Sequence, residues 1–81
     1  MFPIGKTYFC PEFYTTFKVV DTYPLKRGDS LAIVIDIIED DNSEFKNLFS
    51  QIEKGEHPQW AGFYSVTVDF LKELTLWEIK T

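Results

Sequence analysis

Cysteine is nearly missing from this chain of 81 residues: Cys10 stands alone, so no disulfide can form within it. Small domains in oxidising compartments are usually stapled by two or more bridges, which favours an intracellular, cytoplasmic setting. Histidine is as scarce. His57 and Cys10 together fall short of a zinc site, and nothing in the sequence brings them within reach as a nucleophile and its base. Long hydrophobic runs are missing too. The longest, Leu31 to Ile38, is interrupted by Asp36 and is far too short to span a bilayer, so no membrane association is expected. The segment Met1–Lys6 lacks the basic and then apolar pattern of a signal peptide. Basic residues are few, 8 Lys and Arg against 13 Asp and Glu, for a net charge of −5. That balance argues against direct duplex DNA binding, whose affinity comes mainly from cations neutralising phosphates. Repeats, low-complexity tracts and linkers are absent, and residues 1–81 read as a single domain.

What the chain does contain is apolar and aromatic. Hydrophobic residues make up 44% and aromatic ones 17%, the composition of a folded protein that fills a small core with large rings. Charge is uneven along the sequence. Residues 1–28 carry a balance of +2, residues 29–56 one of −6, and residues 57–81 one of −1.

Alternation and turn residues then divide the chain. Gly5–Phe9 reads as a first strand stopped by Cys10-Pro11, and Thr15–Thr22, rich in β-branched residues, as a second. Tyr23–Asp29 reads as a hairpin loop. Ser30–Ile38 is apolar on both faces, which predicts a central strand covered on both sides. Phe45, Leu48, Phe49 and Ile52 fall at i, i+3, i+4 and i+7, predicting a helix over 42–54 that supplies the second cover. Asp41 three residues before Glu44 resembles a capping box, and Gly55 ends the helix. Gln59–Asp69 alternates as a half-buried strand, Asp69–Leu74 reads as one helical turn capped by Asp69, and Leu74–Lys80 as a closing strand. The expected class is α+β: a small curled antiparallel sheet or SH3-like open barrel of about five strands, with helix 42–54 between strands three and four.

Gly5-Lys6-Thr7-Tyr8, Phe17-Lys18-Val19-Val20, Val68-Asp69-Phe70-Leu71 and Leu76-Trp77-Glu78-Ile79 together resemble small SH3-like barrel proteins of phages and other mobile elements. The resemblance implies short accessory proteins, among them anti-restriction and anti-CRISPR inhibitors of host defence, acting in the host bacterial cytoplasm. The helical insert and the acidic run depart from a plain barrel of that kind.

Two groups of residues are candidates for function. Glu39, Asp40, Asp41 and Glu44 place four carboxylates within six residues, just after Asp36. They read as a solvated strand-to-helix turn, as a negative patch for docking on a basic surface, or as a divalent-cation site, although the spacing is not that of an EF-hand loop. The second group is aromatic. Half of the aromatic residues lie in the first 23 positions, more than one interior face of two short strands can take. Either some pack under the N-terminal arm, or Phe13-Tyr14 and their neighbours form an exposed patch suited to a protein partner or a homodimer. Asp69 with Glu78-Ile79-Lys80 imitates a nuclease signature, but the tripeptide is common by chance and the chain is short for that fold. Arg27-Gly28-Asp29 is ordinary turn chemistry.

The expectation is a non-enzymatic protein-interaction module, an accessory or inhibitor protein that occludes a basic surface of a larger host protein, a nucleic-acid-binding protein being one such partner. Glu39, Asp40, Asp41 and Glu44 would steer it, and Phe13, Tyr14 and Trp60 would anchor it. No catalytic residue, cofactor or metal is expected. The alternative is a small-molecule or nucleotide binder using the mouth of a barrel.

Overall fold

The computed structural model describes residues 2–24, 31–40, 44–55 and 57–80. Along the chain run β1 (Thr7–Cys10), β2 (Thr15–Pro24), β3 (Leu31–Asp40), α1 (Glu44–Asn47), β4 (Ser50–Gln51), β5 (Tyr64–Thr67), α2 (Val68–Lys72) and β6 (Trp77–Ile79), with a 3-10 turn at Pro58–Trp60. The six strands form one antiparallel sheet in the order β4-β5-β3-β2-β1-β6. The fold is a small α+β one, and among the described residues the sheet has six strands and is open, with β4 and β6 as its two edges, so it does not close into a barrel. The hairpin loop expected at 23–29 lies mostly outside the described residues. No helix among them is long and apolar enough to cross a membrane.

β3 is central, as its sequence demands. Ala32, Ile33, Val34 and Ile35 are all buried. One face holds the core, where Ile33 and Ile35 join Tyr8, Cys10, Phe17, Val19, Phe45, Val66 and Leu71. Two bulges, which leave Val20 and Ile38 without partners, keep the apolar residues of β2 and β3 on that face.

The opposite face of β3 has a different roof from the expected helix. Val34 lies in register between Asp21 and Ser65, and Ala32 between Tyr23 and Thr67. Trp60 stacks on Tyr23 with centroids 5.2 Å apart, and its Nε1 donates to Asp21 Oδ2 at 3.1 Å. His57 packs against both rings, and the Tyr23 hydroxyl bonds Ser65 Oγ at 2.9 Å. The turn around Pro58–Trp60 thus covers Ala32 and Val34.

Helix 42–54 is corrected by the structure. α1 ends at Asn47, and Ser50 and Gln51 pair with Ser65 and Tyr64 of β5. The Ile52 N–H donates to the Phe63 carbonyl at 2.8 Å, extending that pairing. Backbone groups on β5 otherwise left at an edge are satisfied this way, which outweighs the modest helical preference of a polar segment. Phe45 and Ile52 still reach the interior and Phe49 is half-buried, but Leu48 is exposed. The later turn, α2, is capped by Thr67, whose hydroxyl accepts from the Phe70 N–H at 3.2 Å, and not by Asp69.

Gly5 and Gly62 occupy equivalent turns. Each has φ of +93°, third in a four-residue turn closed by Lys6 N–H to Pro3 O and by Phe63 N–H to Trp60 O. Each glycine N–H bonds one residue across the sheet, whose own N–H returns to the carbonyl after the glycine: Val19 for Gly5, Ile52 for Gly62. This is a type II turn followed by a glycine bulge, and it sets the register at both ends of the sheet.

Candidate functional site

Alternation along β1 decides what lies outside. Tyr8 and Cys10 point into the core, so Phe9 points to the outer face. Phe9 is paired with Trp77 of β6, their centroids 5.8 Å apart, and Trp77 remains 58% exposed. Tyr14 packs edge-on against Phe9 at 6.1 Å and is 65% exposed. Ile79, two residues beyond Trp77, continues this apolar surface.

Tyr14 is held there by the β1–β2 connection, with φ of +50°, a left-handed pose that costs a residue with a Cβ about 1–2 kcal/mol. Around it the Phe13 N–H donates to the Cys10 carbonyl at 3.3 Å, and the Thr15 hydroxyl lies 3.2 Å from the Phe13 carbonyl. Glu12 extends away and accepts the Thr75 N–H. The tight turn sends adjacent aromatic residues opposite ways. Phe13 packs inward, 5.7 Å from Phe45, while Tyr14 projects into solvent.

The register carries the outer face across to the acidic end of β3. Trp77 pairs with Phe9, Phe9 with Thr16, and Thr16 with Glu39, one row across four strands. The next row runs Ile79, Thr7, Lys18, Asp36, so that Lys18 faces Asp36. Glu39 is exposed on the same face as the aromatic cluster.

The other carboxylates divide. Asp40 is half-buried, its Oδ1 3.0 Å from the Thr15 hydroxyl and its Oδ2 accepting the Lys46 N–H at 3.0 Å, so it braces the start of α1. Asp41 lies outside the described residues, and Glu44 opens α1 with its side chain outside them. Trp60 belongs to the roof over β3 and Phe13 to the margin of the core. Of the expected anchors, Tyr14 alone stands on the exposed face. Phe9 and Trp77 were missed, although the alternation that buries Tyr8 and Cys10 was sufficient to place Phe9 outside.

Cys10 is fully buried on the core face, and burial pushes its thiol above the ordinary value. His57 lies on the opposite side of the sheet, in the stack over β3. Among the described residues no three His, Cys, Asp or Glu side chains gather closely enough to hold a metal ion. Comparison with family models, with curated proteins and with solved structures finds no match to this chain.

Proposed function

We propose that the chain is a non-enzymatic interaction module that lays its outer face on a basic surface of a larger cytoplasmic protein and blocks it sterically. This is the mode expected of the phage-type accessory inhibitors that its sequence resembles. The observation that carries the reading is the row shared by Trp77, Phe9, Thr16 and Glu39, with Tyr14 edge-on to Phe9. Large rings that stay exposed are the usual anchors of protein interfaces, and a carboxylate on their flank favours a cationic partner. The left-handed Tyr14 supports it further: a bulky side chain in a pose suited to glycine or asparagine costs stability, and its exposed ring recovers little of that cost in packing.

The test is differential capture from a bacterial lysate, comparing wild type with Tyr14→Gly/Trp77→Thr and identifying bound proteins by mass spectrometry. A protein with a basic surface should be retained by the wild type and depleted at least about tenfold by the variant, as for the loss of two anchors. Equal capture by two equally folded proteins would contradict the reading.

A further inference from the structure

We propose that the open edge of β6 pairs with β6 of a second copy of this chain, in a two-fold antiparallel register centred on Ile79. This inference does not depend on the larger partner. Among the described residues β6 pairs with β1 alone, and its other side is an edge. The direction of its free backbone groups follows from the ladder. The Lys6 carbonyl accepts the Val19 N–H, so Lys6 and, by alternation, Tyr8 turn their groups toward β2, leaving Thr7 and Phe9 to bond β6. Their partners Ile79 and Trp77 are thereby used, and the N–H and C=O of Glu78 face the open edge.

A strand that pairs with its own copy must be complementary to itself. Centring on Glu78 or on Lys80 would set like charges opposite each other, which is destabilising. Centring on Ile79 sets Glu78 against Lys80 of the other copy, twice by symmetry, and Ile79 against Ile79. Charged side chains often guard an edge against pairing, and whether they do so against a second copy depends on which charges the register sets opposite each other. This one carries both signs, two residues apart, as the self-pairing register requires. Ile79 and Trp77 are exposed, and Lys6, Thr7, Glu78, Ile79 and Lys80 line an open hollow of about 390 Å³ at the end of the edge. The pairing would bring the Trp77 faces of both copies onto one continuous surface, since a two-fold axis perpendicular to the sheet preserves its faces.

The experiment is sedimentation equilibrium over a concentration series, with thermal melts establishing that each variant is folded. Wild type should dimerise as concentration rises. Glu78→Lys and Lys80→Glu should each weaken self-association by about tenfold, because symmetry reverses two pairs. Mixing the two single variants restores both opposite-charge pairs, so the mixture should form a heterodimer of wild-type affinity. The double variant Glu78→Lys/Lys80→Glu, which keeps the net charge at −5, should dimerise as wild type does. A wild type monomeric throughout, or a dimer indifferent to both single variants, would overturn the proposal. Failure of the mixture to recover would overturn the register.

Discussion

The buried hydroxyl of Thr15 lies 3.0 Å from Asp40 Oδ1, joining the first residue of β2 to the last of β3. Because Asp40 Oδ2 also accepts the Lys46 N–H, one carboxylate ties the central hairpin to α1. Asp40→Ala should cost about 1–2 kcal/mol, because it removes the acceptor of the Lys46 N–H and one of the two acceptors within reach of the Thr15 hydroxyl, which keeps the Phe13 carbonyl at 3.2 Å. Asp40→Asn keeps one acceptor oxygen and should cost less. Glu39→Gln, on the exposed face, should stay within about 0.5 kcal/mol of wild type. Urea unfolding of the three variants measures the order.

Phe45 is fully buried, stacks on Phe17 at 5.6 Å and meets Phe49 edge-on at 4.7 Å. Phe45→Ala should cost about 3–5 kcal/mol, a large part of the roughly 5–15 kcal/mol that stabilises a domain. Leu48→Ala should change stability by less than about 1 kcal/mol, since Leu48 is half-exposed. Equal losses at the two positions would restore the long helix in which both face the core.

That contrast shows how far the sequence could be read. β2 and β3 were legible because β-branched residues and apolar content on both faces are local signals, and the middle of β5 because Tyr64 and Val66 alternate with Ser65 and Thr67; the strand expected over 59–69 is shorter, since Pro58–Trp60 makes a 3-10 turn and Val68 already begins α2. Helix 42–54 was not, because a helical spacing of four apolar residues cannot report that β5 lacks a neighbour. Ser50 and Gln51 answer that distant need. The second roof of β3 was equally hidden: Trp60 and Asp21 are 39 positions apart, and only folding brings the indole N–H to its acceptor. At the outer face, the sequence left open whether Phe13 and Tyr14 are packed or exposed, and it is the left-handed turn at Tyr14 that divides them, one inward and one outward.

Trp60→Phe should preserve the stack on Tyr23 but remove the donor to Asp21. A loss of about 1–2 kcal/mol is expected for a half-exposed bond to a charged group. Trp60→Ala should lose more and expose Val34, and hydrogen exchange at Ala32–Val34 should rise in that variant. Unchanged exchange there would mean that the turn does not cover β3.

Two buried acids predict the alkaline limit of stability. Burial pushes the Tyr8 phenol above its ordinary 10.0, with the Glu78 charge adding to it, and burial likewise raises the Cys10 thiol above its ordinary 9.0. The unfolded chain releases both protons first. Their contribution is therefore intact below the ordinary cysteine value and is lost as pH rises through the raised folded values. Urea midpoints should fall over that alkaline range, and the fall should be shallower in Cys10→Ala. An identical alkaline slope would remove Cys10 from the explanation.

The docking face makes the most direct demand, on the kinetics of the partner retained in differential capture. Tyr14→Gly should leave the fold intact, because glycine relieves the left-handed strain and offsets the lost contact with Phe9. Surface-immobilised kinetics at low and high salt should then show its dissociation faster by about tenfold or more with little change in association, as for a lost anchor. Glu39→Gln should instead slow association at low salt and leave dissociation nearly unchanged. A partner that leaves the folded Tyr14→Gly variant no faster than it leaves wild type would contradict the assignment of this face.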